Sequence, residues 1–247
     1  MEAYEKFLTR TAYQQPRLLI APGYFTPDER VRHKVKPNKS FRPFFGDTTV
    51  FELDRRTKAR IASLQEALYA QVPECFCARL APGTLHMTLH DLSSSFRLEE
   101  VASEVFSNEI KLLRTIREQP IPAQTISMKS NCIFNCVNTS LVLALRPENE
   151  EEWNKLQLAY DTVEQVRECP YPLTPHVTLA YFSYHGFSAA ASKKLQETVY
   201  ALNQNSMTVV LDTAQLYYQK FTDMNNYCSV FALAEQGTAG SSAEDGV

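Results

Sequence analysis

The feature that most constrains this chain is a short pattern that occurs twice: Leu85-His86-Met87-Thr88-Leu89 and, much later, Leu173-Thr174-Pro175-His176-Val177-Thr178-Leu179. Each copy holds His-x-Thr-Leu between apolar neighbours, which is a strand pattern. In a strand, residues two apart point to one face, so each imidazole stands beside its own threonine hydroxyl. A single His-x-Thr is an ordinary hydrogen-bonded pair in a half-buried sheet. Two copies at corresponding places in two halves of a chain mark a duplicated unit with a shared site.

The segments around the two copies repeat in the same order. Thr49-Val50-Phe51-Glu52-Leu53 reads as a strand, and Ile61, Leu64 and Leu68 give Arg55 to Gln71 a helical face before the first motif. Leu98, Val101, Val105, Leu112 and Ile116 mark a second amphipathic helix, with Ser95 or a nearby polar residue as its cap. Short strands and turns over 124–145 end in Leu141-Val142-Leu143-Ala144-Leu145. A helix opened by Pro147 then carries Trp153, Leu156, Tyr160 and Val163 on one face. The second motif and a closing helix with Leu195, Val199 and Leu202 follow. Thr49 precedes His86 by 37 positions and Leu141 precedes His176 by 35, the agreement expected of a duplication. Strands at 207–211, 215–221 and 227–233 complete the sheets. The expected division is an N-terminal arm at 1–47, irregular and proline-rich, and one bilobal domain at 48–234. Within it, lobe one covers about 48–120, lobe two about 140–205 and the closing strands 206–234, with a disordered tail at 235–247.

Composition narrows the class. With 247 residues and 44% hydrophobic content the chain can bury a large core without staples. The six cysteines lie mostly in apolar segments without paired C-x-x-C spacing, so they read as buried free thiols. No apolar run approaches the ~18 residues of a membrane span, and no secretory leader is evident. The expectation is a reduced cytoplasmic protein, monomeric and without a membrane or DNA partner. A net charge of −3 argues against coating long nucleic acids. The basic run Arg30, Arg32, Lys34, Lys36, Lys39 and Arg42 could face a substrate's phosphates, but solvated charge is the default reading of such a stretch.

Two His-x-Thr motifs on related lobes resemble the two-histidine (2H) phosphoesterase superfamily, which includes RNA 2′,3′-cyclic phosphodiesterases and 2′–5′ ligase-like proteins. The stretches Phe44-Phe45-Gly46-Asp47-Thr48 before the first strand and Leu85-His86-Met87-Thr88 after the first helix resemble a little-characterised bacterial-type branch of it with an N-terminal extension. The resemblance implies an α+β, bilobal, pseudo-twofold fold in which two antiparallel sheets line a central cleft with helices outside. It also implies that His86, Thr88, His176 and Thr178 form the site. Their chemistry fits: one imidazole takes a proton from water, the other protonates the departing alkoxide, and the hydroxyls hold phosphate oxygens. No cofactor and no metal is implied. A metal reading exists, because His90 would share a strand face with His86, but Ala180 stands at the equivalent place in the second copy. Tyr181 is a candidate substrate contact, and His33 and His185 read as loop residues. The expected activity is hydrolysis of a cyclic phosphate or 2′-linked nucleotide, with a small nucleotide or RNA end as partner. The alternatives are 2′–5′ ligase-like chemistry and a non-catalytic nucleotide or RNA binder.

Overall fold

In a computed structural model, residues 2–14, 20–21, 23–204 and 206–234 are described. The tail expected to be disordered lies outside them. The chain forms eight strands, β1 (Phe45–Glu52), β2 (His86–Ser95), β3 (Thr125–Cys136), β4 (Ser140–Pro147), β5 (His176–Tyr181), β6 (Thr208–Asp212), β7 (Leu216–Asp223) and β8 (Asn226–Ala232). Among the described residues six α-helices accompany them: α1 (Tyr4–Arg10), α2 (Val31–Lys34), α3 (Arg55–Gln71), α4 (Leu98–Glu118), α5 (Glu150–Glu164) and α6 (Ala189–Leu202).

The strands form one antiparallel sheet in the order β6-β3-β4-β5-β2-β1-β7-β8. Counting outward from the centre, each half has a motif strand, then the strand that precedes it in its own repeat, then two further strands. The two expected sheets therefore meet edge to edge, and they do so through a single registered pair, Met87 opposite Val177. These are the middle residues of the two His-x-Thr copies, so the pseudo-twofold axis passes between them. The strands that follow the repeats divide between the halves: β6 joins the second through β3, and β7 with β8 joins the first through β1. The stretch 124–145, read as short strands and turns, is instead a long hairpin. Its tip, Val137-Asn138, adopts left-handed φ values of 45° and 57°.

Met87, Leu89, Val177 and Leu179 point into the main core with Ile61, Leu68, Leu112, Trp153, Leu156, Leu195 and Val199 of the four long helices. This covers one face of the sheet. Helix starts follow local chemistry. Asp54 accepts from the backbone N–H groups of Arg56 and Thr57, Asn149 from Glu152, and Ser188 from Ala191. Two expected caps differ. Asn149, not Pro147, opens α5, because Pro147 is still paired in β4. Ser95 ends β2 one turn early, where its hydroxyl accepts from Arg97 N–H and donates to Glu100.

The arm is less irregular than its prolines imply. Phe7 of α1 stacks on Trp153 with ring centroids 4.3 Å apart, and Trp153 Nε1 donates to the Glu2 carbonyl at 2.6 Å. His33, read as a loop residue, lies in α2. Val31 and Val35 bury with Phe44, Cys77, Leu80, Tyr181, Phe221 and Met224 in a second, smaller core on the face away from the long helices. Gly46 is required where β1 passes between β2 and β7: a Cβ there would lie 2.1 Å from the Ser93 carbonyl oxygen. The cysteines are free among the described residues, but Cys228 is exposed and Cys136 and Cys169 are half-buried, so the buried reading fits Cys75, Cys77 and Cys132. Among the described residues no helix is long and apolar enough to cross a membrane.

Candidate functional site

Antiparallel register fixes the site. Because Met87 faces Val177, His86 lies towards Thr178 and Thr88 towards His176, and all four side chains emerge on the face opposite the long helices. All four are half-buried. Neither threonine hydroxyl bonds another protein group among the described residues, so both are open to a ligand.

The histidines are anchored alike. His86 Nδ1 donates to the Thr84 carbonyl at 2.8 Å, and His176 Nδ1 to the Thr174 carbonyl at 2.7 Å. A carbonyl only accepts, so each Nδ1 carries the proton and each Nε2 is the atom left for chemistry. Burial pushes both imidazoles below the ordinary histidine value, opposed first by these carbonyl bonds. For His86 the remaining influences are Glu52, Lys58 and Asp91, and for His176 they are Asp91 and Lys34. The repeated pattern is thus Thr-x-His-x-Thr, and the first threonine in each copy was visible in the sequence but carries no signal until the carbonyl bond is seen.

Each anchoring loop is clamped from outside its own repeat. In the second lobe Arg10 of α1 donates to Thr174 Oγ1 at 3.1 Å and to the Leu173 carbonyl at 2.7 Å, while two bonds to Glu2 hold its guanidinium. In the first lobe Asn225, in the β7–β8 turn, accepts from Ala81 N–H at 2.8 Å and Thr84 Oγ1 at 3.3 Å and donates to the Arg79 carbonyl. These clamps come from the two ends of the chain, which no local pattern connects to the motifs.

A β-bulge follows each motif at the same place. Thr49 pairs with His90 but Val50 with Thr88, leaving Leu89 extra; Leu141 pairs with Ala180 but Val142 with Thr178, leaving Leu179 extra. The extra residue reverses the alternation. His90 therefore does not share a face with His86 as expected. It points into the helical layer, bonded to Glu164 and with its ring centroid 5.0 Å from that of Tyr160 of α5. Asp91 takes the cleft face instead, where Tyr171 donates to its Oδ2 at 2.5 Å. Among the described residues no three His, Cys, Asp or Glu side chains come together as a metal site.

Tyr181 occupies the place equivalent to Asp91, but it is only 9% exposed, its hydroxyl donates to Met224 Sδ at 3.1 Å, and Phe41 packs edge-on. It supports the cleft floor instead of offering an open stacking face. Tyr227 of β8, placed by the sequence reading only at the start of a strand, lies edge-on to His86 with centroids 4.9 Å apart. Of the basic run, Arg30 pairs with Asp28, Lys39 bonds the Pro73 and Glu74 carbonyls, and Arg42 the Val35 carbonyl. Lys34 lies with Nζ 5.0 Å from the Phe44 centroid and 5.3 Å from that of Tyr181.

No family model and no curated protein matches this chain by sequence. Solved structures resemble it in fold. A conserved protein of unknown function from Agrobacterium tumefaciens, ATU0111, is similar over 85% of this chain and 94% of its own, with 15% identity and a TM-score of 0.61. Escherichia coli LigT complexed with 3′-AMP aligns over 78% of this chain and 99% of its own at 16% identity and a TM-score of 0.44. TT0787 of Thermus thermophilus aligns over 77% and 98% at 14% identity and the same TM-score. The likeness to ATU0111 is one of fold; in this chain that fold is a pseudo-twofold α+β sheet with the paired motif strands at its centre.

Proposed function

We propose that this protein is a phosphodiesterase that opens a cyclic phosphate or a 2′-linked nucleotide by two-histidine acid–base catalysis. The observation that carries the reading is the matched anchoring of His86 and His176, which leaves two Nε2 atoms and two free threonine hydroxyls on one face. One neutral imidazole takes the proton of an attacking water, and the other, protonated, gives its proton to the departing alkoxide. Thr88 and Thr178 donate to the non-bridging oxygens and keep attack and departure in line. The pseudo-twofold leaves the acid and base roles interchangeable until a substrate breaks it. On this reading the partner is a small nucleotide or an RNA end, and the protein works as a cytoplasmic monomer. The overall charge of −3 supports a small ligand over long RNA.

The test is a panel of 2′,3′-cyclic mononucleotides, cyclic dinucleotides and 2′–5′ oligomers offered to EDTA-treated protein. Turnover that survives chelation is the expected result, since the four residues contain no carboxylate. Turnover lost in EDTA and restored by zinc or manganese would overturn the mechanism. Binding of panel members without turnover would make the protein a nucleotide binder.

A further inference from the structure

We propose that Lys34 is the charge partner of the substrate phosphate: its ammonium binds a non-bridging oxygen and stabilises the negative charge that builds as phosphorus is attacked. The inference rests on the phosphodiesterase reading for its chemistry, but the anion-binding part can be tested without turnover.

Three observations carry it. First, Lys34 is held in place. Val31 and Val35, three residues before it and directly after it, are fully buried and pack the segment against the second core. Second, its ammonium is half-buried over the rings of Phe44 and Tyr181 and, among the described residues, has no hydrogen-bond acceptor and no ion-pair partner. Ring faces compensate a desolvated cation only in part, so this arrangement is costly unless an anion completes it. Burial accordingly pushes its pKa below the ordinary lysine value, with Asp91 opposing. Third, the ammonium stands on the cleft face: the Tyr181 ring lies 5.3 Å from it, and Tyr181 follows His176 and Thr178 on β5 at the place equivalent to Asp91, the carboxylate held by Tyr171. His86 has no equivalent: the cation near it, Lys58, is paired with Glu52.

The chemistry gives such a cation a role that neither histidine fills. A cyclic phosphodiester carries one negative charge. As the water oxygen bonds to phosphorus while the base removes its proton, the phosphoryl oxygens gain further charge. That charge lessens when the P–O bond to the ribose breaks and the alkoxide takes the acid's proton. Lys34 transfers no proton; it holds an oxygen whose charge is greatest in the transition state, and so acts mainly on kcat.

The experiment compares wild type with Lys34→Met, which keeps the length and apolar packing, and Lys34→Arg, which keeps the charge. Each is assayed by calorimetry with inorganic phosphate, by turnover of 2′,3′-cyclic AMP against pH, and by thermal melting. The expected result is that Lys34→Met weakens phosphate binding about 10-fold or more and lowers kcat ~10²-fold, whereas Lys34→Arg recovers most of both. The acid limb of the profile should also move to higher pH in Lys34→Met if His176 is the base, because a repelling cation has gone. A folded Lys34→Met protein that binds phosphate and turns over like wild type overturns the proposal, as does a wild type that binds no phosphate. Should Lys34→Met fail to fold, the same readings on Lys34→Gln decide. Loss of phosphate binding in Lys34→Met with no turnover by wild type would support Lys34 as an anion ligand and sink the phosphodiesterase reading. Loss of turnover in both histidine variants but not in Lys34→Met would do the reverse.

Discussion

The two lobes anchor their imidazoles alike and differ in much of what surrounds them, Tyr227 against His86 included. Both present Thr-x-His-x-Thr, both bond Nδ1 to a threonine carbonyl, and both place a bulge one residue after the second threonine. Beyond that anchoring the first lobe has His90 and Asp91 where the second has Ala180 and Tyr181. A neutral amide, Asn225, clamps the first anchoring loop, and a guanidinium, Arg10, the second. On the proposed function, the difference suits two tasks: the shared anchoring sets up an acid and a base, and the unlike surroundings tell the two apart for a substrate.

The largest expected effects test the shared anchoring. His86→Ala and His176→Ala should each lower kcat ~10²–10⁴-fold on the hydrolysed panel member, with little change in affinity. The double variant should lose less than the product of the two, since acid and base act in one displacement. Wild-type turnover in either single variant would break the equivalence of the lobes.

Next come the clamps, which bear on the unlike surroundings. Arg10→Ala frees the loop that holds His176, and Asn225→Ala the loop that holds His86; each should reduce kcat by up to ~10²-fold through misplacement of an imidazole. The Arg10 change should be the larger, because its bonds are charge-assisted and Asn225's are neutral. Equal losses, or none with unchanged melting temperatures, would show that the clamps serve stability alone.

The pH dependence follows from burial of both histidines. With both folded values pushed below about 6.5, kcat/KM should peak on the acid side of that value, falling about tenfold per pH unit at its flanks as the base gains or the acid loses its proton. The sign for stability is the opposite of a salt-bridged histidine. The unfolded chain binds protons that the folded sites resist, so stability is full above pH ~6.5 and declines as pH falls towards the folded values. A kcat/KM optimum well above neutrality would contradict this. Smallest are the threonines: Thr88→Ala or Thr178→Ala removes one neutral hydrogen bond to phosphate, about 0.5–1.5 kcal/mol of affinity, measurable by titration with inorganic phosphate. Unequal losses at the two threonines would show which lobe holds the phosphate more closely.

By itself the sequence determined the duplication, the strand character of both motifs and the four residues that share a face, because strand alternation and helical periodicity are local properties written in consecutive residues. It misplaced His90, since alternation carried through Leu89 puts it beside His86, and only cross-strand pairing exposes the extra residue that turns it away. It assigned Tyr181 a stacking role that packing by Phe41 and the bond to Met224 leave little room for. Lys34 was one of six equal charges in a run until the burial of Val31 and Val35 fixed α2 against the second core. Arg10 and Asn225 had no signal at all: they lie 164 and 141 positions from the threonines they hold. Tertiary structure decided these points because contacts between the chain's two ends and its middle arise from the closing of the sheet, and no window of sequence contains both partners.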